Sequence, residues 1–361
     1  MVFKFKILKH TKDAIFFIFQ GKNGATYISN TVSWSLLTSS FKFYRPLNLK
    51  SKILKFIFKI LIFLIAKTKL KKLKSIDDVN DHIKIITNSK FDFSFDKYSS
   101  ILISPTKDKV IINNNDIFIE KYYFGKSYKK GLKDLNTYKL FSGAFENFQT
   151  SKCYDSKLDE EKIISFKLSN INIFKKKEKI TPKKLVLILS EFFNISNTIK
   201  STVEFFGQKL KKDLITHVNC NPKNQLLILD EFIQKFGSFE LPLGLVHGDF
   251  KPWNVMALQK PLIYDFEEII LNGLPLFDFL NFYISPIISY ENPKNLISKT
   301  IIEKEFYYKK YLNILSITFD YKILLHFYLI SRIIFYVKSN EIEISNKYLD
   351  LSNYLIESKW G

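Results

Sequence analysis

Cysteine and arginine are both scarce in this chain, and each scarcity excludes a class of protein. The two cysteines, Cys153 and Cys220, are too far apart for a CxxC metal pair and too few for a disulfide framework, which favours a reducing, cytoplasmic location. Arginine occurs twice, at Arg45 and Arg332, although the formal charge is +20. Proteins that read base sequence usually need arginine forks, so we expect no nucleic-acid partner.

No apolar run is long enough for a membrane span. The longest unbroken run in the segment 53–66 covers residues 60–66, whereas a bilayer span needs about 20 apolar residues. If this segment is helical, Lys52, Lys55 and Lys59 share one face, and further lysines follow through Lys74. The pattern fits a helix packed on the protein, which is the commoner case, or a basic helix in peripheral contact with the anionic inner face of a membrane. No small-residue cleavage site follows the first residues, so no secretory signal is predicted.

The order of sequence patterns predicts an α+β fold with two unequal lobes. Residues 1–95 form an N-terminal extension that contains the basic helix, residues 96–172 a small β-rich lobe, and residues 173–361 a larger helical lobe. We predict a hairpin from residue 99 with an Asn-rich turn at 113–116, a helix over 128–143, a strand over 163–170 and a linker over 174–182. Later helices are predicted over 183–194, 201–212, 226–236 and 323–337.

Two short apolar strands in the second half each lead to an aspartate. The first is followed by His247-Gly-Asp249-Phe-Lys251-Pro-Trp-Asn254, and the second by Asp265. Phosphoryl transfer needs a carboxylate to orient or deprotonate the attacking hydroxyl, and hard oxygen ligands that hold Mg²⁺ on the phosphates. Asp249 provides the base, Asn254 an amide oxygen from the same loop, and Asp265 a charged ligand. The alternative is a loop whose aspartates only cap turns.

The stretch 245–255 resembles the catalytic loop of the aminoglycoside phosphotransferase and choline kinase superfamily, which has a protein-kinase-like fold. The later Asp265-Phe-Glu267 resembles its metal-binding segment, and Asp278 matches a further acidic element of the family. The loop is also similar to the H-R-D-L-x-x-x-N signature of protein kinases. Gly248 and Glu267 replace the arginine and glycine of protein kinases, which favours the small-molecule branch.

The resemblance implies roles for the loop residues. Asp249 would be the catalytic base, and Asn254 and Asp265 would hold Mg²⁺. His247 would brace the loop through hydrogen bonds. Lys251 would reach the transferred phosphate, with a solvated lysine as the equally good alternative.

The resemblance also requires a lysine in the small lobe for the nucleotide phosphates. Lys121 is the candidate, because a lysine on an otherwise apolar strand face is costly unless it meets an anion. The alternative is an exposed lysine on an edge strand. Asp134, the acid in the following helix, is its predicted partner. Residues 104–108 contain no glycine, and the missing glycine-rich loop again favours the small-molecule branch.

These observations predict an ATP- and Mg²⁺-dependent phosphotransferase. Its partners would be a nucleoside triphosphate and a small hydroxyl-bearing acceptor: a sugar, an amino alcohol or a saccharide intermediate of the cell surface. A protein kinase and a catalytically inactive kinase-like scaffold remain as alternatives. The intact set of Asp249, Asn254 and Asp265 argues against the scaffold.

Overall fold

A computed structural model describes most of the second half of the chain and parts of the first. The described residues are 4–7, 16–20, 26–30, 53, 56, 57, 60, 76–88, 90–93, 100–114, 118–141, 145–159, 163–169, 180–196, 198–218 and 222–358. Cys220 and the lysines predicted to share one face of the 52–74 helix lie outside them, as do the Asn-rich turn beyond Asn114 and most of the linker. Within 52–74, Ile53, Phe56, Ile57 and Ile60 are helical.

Strands predominate in the first half of the described residues, and helices predominate in the second half. The strands are β1 (Lys4–Ile7), β2 (Phe16–Gln20), β3 (Thr26–Asn30), β4 (Ser100–Ile103), β5 (Lys109–Asn114), β6 (Phe118–Tyr123), β7 (Gln149–Thr150), β8 (Cys153–Asp159), β9 (Ile163–Ser169), β10 (Ile199–Thr202), β11 (Glu240–Val246), β12 (Val255–Met256), β13 (Leu262–Ile263) and β14 (Ile270–Gly273). The helices are α1 (Ile76–Thr87), α2 (Tyr128–Leu140), α3 (Pro182–Asn194), α4 (Val203–His217), α5 (Lys223–Phe236), α6 (Phe277–Ile284), α7 (Pro293–Thr300), α8 (Glu305–Ile314), α9 (Tyr321–Lys338) and α10 (Ile342–Glu357). Short 3₁₀ turns cover Gly125–Ser127 and Ile302–Lys304.

The chain divides into two units. The first contains residues 1–143 and 150–176, and the second contains residues 144–149 and 177–361. The first unit is built on one antiparallel sheet of eight strands in the order β1-β2-β3-β4-β5-β6-β9-β8. The division of the chain at residues 95 and 172 stays a prediction.

The sheet of the first unit presents alternate side chains to its two faces. β9 shows the period, because it buries Ile164, Phe166 and Leu168 in alternation with half-buried residues. One apolar cluster joins α1 to the sheet and to Phe93, which lies between α1 and β4. The cluster consists of Val79, Ile83, Phe93, Ile101, Ile103, Val110, Ile112, Tyr122, Phe124 and Ile163. Elsewhere the Phe166 ring lies 6.0 Å from the Tyr138 ring of α2.

The second unit is mainly helical around α9. This helix is apolar on all sides and buries 13 of its 18 residues, as expected for a helix surrounded by others. It packs against α10 and α4. An antiparallel sheet in the order β10-β11-β14 and the β12–β13 pair complete the unit, and the Gln149 N–H donates to the Pro261 carbonyl over 2.8 Å. Among the helices of the described residues, none combines the length and the apolar character that a membrane span requires.

Most predicted elements are present, with shifted limits. The α+β fold and the helices over 128–143, 183–194, 226–236 and 323–337 are confirmed as α2, α3, α5 and α9. The first arm of the hairpin is in fact two strands, β4 and β5, because residues 105–108 form a turn closed by a Ser104 N–H to Lys109 carbonyl hydrogen bond of 2.9 Å. The helix predicted from 201 begins at Val203, because residues 199–202 form β10 and Thr202 caps the helix.

Candidate active site

Lys121 is a buried lysine in the middle of the first unit's sheet. It lies on β6, opposite Ile111 of β5 and Phe166 of β9, and is 4% exposed. Its Nζ donates to Asp134 Oδ2 over 2.7 Å, and the Tyr123 hydroxyl donates to the same oxygen over 2.7 Å. The alternative of an exposed lysine on an edge strand is therefore wrong. The structure brings together the two residues that the sequence selected in this unit.

Asp134 reaches Lys121 because α2 lies very close to β6. Gly131 of α2 faces Tyr123 across this contact, and a Cβ added at Gly131 would lie 2.5 Å from the Cβ and Cγ atoms of Tyr123. Real Cβ atoms do not approach other atoms so closely, so only glycine allows the helix to lie here. The Lys121 ammonium also lies 5.4 Å from the centre of the Tyr138 ring.

In the second unit, β11 leads into a loop that turns sharply at Gly248. Gly248 has a φ of +78°, in the left-handed region that favours glycine. A Cβ at this position would collide with the Glu268 carbonyl oxygen. The motif's glycine is therefore required by the backbone, and it places Asp249 at the start of the loop.

Both carboxylate oxygens of Asp249 have partners within the loop. Oδ1 forms an ion pair with Lys251 Nζ at 2.5 Å, and Oδ2 accepts from Asn254 Nδ2 over 3.0 Å. Asn254 Nδ2 also donates to the Asp249 carbonyl over 2.8 Å, so its amide orientation is fixed. Burial acts to lower the pKa of Lys251, but the Asp249 carboxylate outweighs it and the pKa is raised, so Lys251 is a cation at neutral pH. These contacts join the base, lysine and amide candidates in one cluster.

His247 is fully buried and ties the loop to the segment that carries Asp265. Its Nε2 lies 3.1 Å from the Tyr264 carbonyl oxygen, and its Nδ1 accepts from the Asp249 N–H over 3.4 Å. A neutral ring with the proton on Nε2 satisfies both contacts. The rings of Phe250 and Phe266 lie 5.6 and 5.1 Å away. His247 thus holds a single orientation.

Asp265 follows β13, which pairs with β12 immediately after Asn254. The Tyr264 N–H donates to the Asn254 carbonyl over 3.2 Å, so the two candidate metal-binding segments are joined by their backbones. Asp265 has a φ of +73°, an unusual conformation for a residue with a side chain, and such strain concentrates at functional sites. Carboxylate oxygens of Asp265 and Glu267 lie within 4.8 Å of each other. The sequence placed Glu267 in the segment that resembles the family's metal-binding segment and identified it as a difference from protein kinases, but it predicted no ligand role for this residue.

Asp278 holds the backbone of the loop, a role that its match to the family's acidic element did not predict. From α6, its Oδ2 accepts from the His247 N–H over 2.6 Å and its Oδ1 from the Gly248 N–H over 3.0 Å. Burial raises the pKa of Asp278 from its ordinary 3.8 to about 6, although the neighbouring His247 and these backbone donors act to lower it. Asp278 therefore holds the start of the loop by its backbone.

Arg332 and Asn281 contact the other side of Gly248. Arg332 Nη1 lies 3.3 Å and Asn281 Nδ2 lies 3.5 Å from the Gly248 carbonyl oxygen. The sequence predicted neither contact, because the two residues lie on α9 and α6 and only the folded chain brings them to the loop.

Known proteins resemble this chain in its loop region and in its fold. Residues 208–293 match the model of the phosphotransferase enzyme family. The solved GDP complex of wild-type aminoglycoside 2'-phosphotransferase-IIIa has a TM-score of 0.51 at 11% identity, over 78% of this chain and 99% of that one. A thermostable mutant of aminoglycoside phosphotransferase APH(4)-Ia has a TM-score of 0.46 at 11% identity, over 78% and 99%. Amicoumacin kinase hAmiN has a TM-score of 0.41 at 14% identity, over 70% of this chain and 85% of that one. No curated protein sequence matches.

The matched residues 208–293 include the loop at 247–254, Asp265, Glu267 and Asp278. The α+β fold agrees with that of the aminoglycoside 2'-phosphotransferase. The resemblance inferred from the loop motif is thus confirmed: residues 208–293 match the model of the phosphotransferase enzyme family, within a fold that agrees with that of a solved aminoglycoside phosphotransferase.

Proposed function

We propose that this protein transfers the γ-phosphate of ATP to a hydroxyl group of a small metabolite, in a reaction that depends on Mg²⁺. The acceptor class comprises sugars, amino alcohols and saccharide intermediates of the cell surface. One observation carries the proposal. Asp249 and Asn254 are held in one loop by the 3.0 Å hydrogen bond between their side chains, while Asp265 is attached to that loop through the backbone of Tyr264.

In this proposal Asp249 is the catalytic base. Phosphoryl transfer needs a carboxylate that orients the acceptor hydroxyl and takes its proton. The Asp249 side chain is one-quarter exposed, so an acceptor can reach it, while its backbone is fixed through Gly248 and His247. Lys251 contacts Oδ1 and provides a positive charge for the transferred phosphate beside the base. His247 keeps its bracing role.

The residues fit a magnesium site by the chemistry of their donors. Asn254 uses its amide nitrogen on Asp249, which leaves its amide oxygen as the ligand. Two carboxylates as close as those of Asp265 and Glu267 repel each other, and a divalent cation relieves that repulsion. These are the hard oxygen ligands that Mg²⁺ prefers. When bound, Mg²⁺ would neutralise charge on the nucleotide phosphates.

Lys121 is the proposed ligand of the nucleotide phosphates. Its pairing with Asp134 keeps a buried ammonium group charged and oriented, as a phosphate ligand must be. The aminoglycoside 2'-phosphotransferase was solved with GDP, so GTP belongs beside ATP in any assay.

A screen of hydroxyl-bearing acceptors tests the function. Purified protein with Mg²⁺ and either ATP or GTP is incubated with sugars, amino alcohols and nucleotide-linked saccharides, and ADP or GDP release is followed. Mass spectrometry then identifies a phosphorylated product. Generic protein substrates in the same screen test the protein-kinase alternative. Absence of turnover with every acceptor, despite nucleotide binding, would support a scaffold instead.

The proposal includes a cytoplasmic location with peripheral contact to the anionic inner face of a membrane. Ile53, Phe56 and Ile57 are 51%, 58% and 44% exposed, and their spacing of three and one residues puts them on one helix face. Residues 14–76 contain twelve basic residues and no acidic residue. An exposed apolar face within a basic segment suits an anionic lipid surface, where each basic residue contributes about 1 kcal/mol.

Vesicle co-sedimentation tests this contact. We expect salt-sensitive binding to vesicles that contain phosphatidylserine and none to phosphatidylcholine vesicles. Phe56→Ser should weaken the binding. The control is Ile85→Ser, which removes an exposed apolar side chain of α1 outside the basic segment. Equal, negligible binding to both vesicles at low salt would refute the contact.

A further inference from the structure

Arg332 is a buried arginine in a chain that otherwise uses lysine for almost every positive charge. Of 55 basic residues two are arginines, and Arg332 lies in the middle of α9 with 2% of its surface exposed. Buried cations are rare because leaving water is costly for them. A position that keeps an arginine there needs something that lysine cannot supply.

The surroundings of Arg332 show what that is. Its guanidinium carbon lies 4.5 Å from the centre of the Phe335 ring and 4.7 Å from that of Tyr336, and Nη2 donates to the Tyr336 hydroxyl over 2.8 Å. Nη1 donates to the Gly248 carbonyl over 3.3 Å. A planar guanidinium can contact rings and direct several donors at once, whereas an ammonium is a point charge. The rings fix the plane of the fork, and the fork points one donor at the loop.

Arg332 is a poor residue for stability alone. Among the described residues no carboxylate lies within 4.0 Å of its guanidinium, and its Nε is buried without a hydrogen-bond partner. Apolar residues of similar volume often stabilise a core as well as buried charged groups do, or better. Stability alone therefore does not account for an arginine at this position.

A second chain of contacts reaches the same carbonyl. Asn281 Nδ2 approaches the Gly248 oxygen, while Asn281 Oδ1 accepts from the Ser285 hydroxyl over 2.5 Å and from the Tyr328 hydroxyl over 3.3 Å. The Tyr348 hydroxyl of α10 lies 3.0 Å from Ser285. Polar groups of α6 and α9 thus contact one atom, and Tyr348 of α10 supports them through Ser285. That atom belongs to the peptide bond that joins Gly248 to Asp249.

We propose that Arg332 is a positioning residue, which orients the Gly248–Asp249 peptide bond and through it the Asp249 carboxylate. The inference rests on the proposed function, in which Asp249 is the base. Because the peptide plane sets the direction in which the Asp249 side chain leaves the backbone, loss of the contact at its oxygen lets the base rotate. Misplacement of a catalytic group by about 1 Å can lower a rate by about a hundredfold.

The test compares Arg332→Met with a matched change on the same helix. Arg332→Met keeps an unbranched, flexible side chain but removes the charge and the hydrogen-bond donors. His326→Leu is the control, because His326 is equally buried on α9, has an unpartnered Nδ1 and packs on Phe232 rather than on the loop. For each variant we would measure the melting temperature, amide hydrogen exchange over residues 245–256, and kcat and KM with the acceptor.

We expect Arg332→Met to melt within about 2 °C of the wild type or above it. Its loop amides should exchange at least about tenfold faster and its kcat fall at least about tenfold, with KM for the nucleotide unchanged. His326→Leu should change neither the loop exchange nor kcat. Arg332→Lys should have a kcat between those of Arg332→Met and the wild type. Unchanged loop exchange in a folded Arg332→Met would overturn the proposal. If the loop of Arg332→Met exchanges faster but the wild-type protein itself shows no turnover, the positioning role of Arg332 is upheld and the proposed function is refuted.

Discussion

The two units each bury a cation and a carboxylate, but they combine them differently. In the first unit Lys121 and Asp134 contact each other at 2.7 Å. In the second unit Arg332 and Asp278 contact opposite sides of the Gly248 backbone, at its carbonyl and at its N–H. The Lys121 ammonium in its ion pair can also turn toward a phosphate. Arg332 and Asp278, in contrast, bind the Gly248 backbone from both sides and keep it fixed. We infer that the first arrangement suits ligand binding and the second suits the positioning of a catalytic group.

The largest stability effect should come from breaking the pair in the first unit. Lys121→Met and Asp134→Leu each leave one buried charge without its counterion, which should cost about 3–5 kcal/mol in the free energy of unfolding. The double variant removes both charges and should recover most of that loss, yet should not bind Mg-ATP. Urea denaturation and calorimetry measure the two quantities. A double variant as unstable as the sum of the two single variants would show that the residues do not act as a pair.

Asp278 should make stability depend on pH in a defined window. The pKa of Asp278 in the folded protein is about 6, above its ordinary 3.8. Between these values the folded protein holds a proton that the unfolded chain has released. Stability therefore falls as pH rises through the window, by about 3 kcal/mol at 1.36 kcal/mol per pKa unit.

Urea denaturation of wild type and Asp278→Asn between pH 3.5 and 7 measures this effect. The wild type should lose stability relative to the variant as pH rises from about 4 to about 6. Asp350→Asn, which removes an exposed carboxylate of α10, is the control and should follow the wild type. Parallel curves for wild type and Asp278→Asn would mean that the Asp278 carboxyl titrates normally.

A smaller effect is expected where α2 meets β6. The methyl group of Gly131→Ala would overlap Tyr123, so α2 must shift and carry Asp134 away from Lys121. Overpacking of this kind costs about 1–3 kcal/mol. Calorimetric titration with Mg-ATP should show weaker binding. Lys130→Ala, at the neighbouring exposed position, should bind normally. Equal affinity in Gly131→Ala would separate the helix contact from nucleotide binding.

The smallest effect concerns the proposed metal ligands of the second unit, Asp265 and Asn254. Asp265→Ala removes a charged ligand and Asn254→Ala a neutral one. We expect the aspartate change to weaken Mg-ATP binding more, by about tenfold or about 1.4 kcal/mol. Titration of each variant at fixed Mg²⁺ measures the difference. An unchanged affinity in Asp265→Ala would remove that residue from the metal site.

The sequence was most informative where chemistry is concentrated in a short segment. The loop from His247 to Asn254 carries the candidate base, the candidate amide ligand and the required glycine within eight residues, so residue types and their spacing indicated the cluster that the structure shows. Lys121 and Asp134 were selected by strand period and by helix position, and they meet at 2.7 Å. The functional roles of Lys121, of Asp134 and of the loop residues stay predictions.

The residues that the sequence did not reveal act across long separations. Arg332 is 84 residues from Gly248, and Gly131 matters only because it faces Tyr123. No local pattern records such contacts. Helix α7 was also missed, although Asn292 caps it and Pro293 opens it, a signal that could have located it. Strand β8 is polar and, among the described strands, pairs with β9 at the edge of the sheet, so its pattern gave no apolar period.

The central claim is that Asp249 carries out the transfer, and its conversion to asparagine tests it most directly. Asp249→Asn keeps the shape of the side chain but cannot take the proton of the acceptor hydroxyl. With an acceptor found in the screen, we predict a kcat at least about a thousandfold below that of the wild type, while Mg-ATP binds within about threefold of its wild-type affinity. A folded Asp249→Asn protein with a near-wild-type kcat would contradict the account.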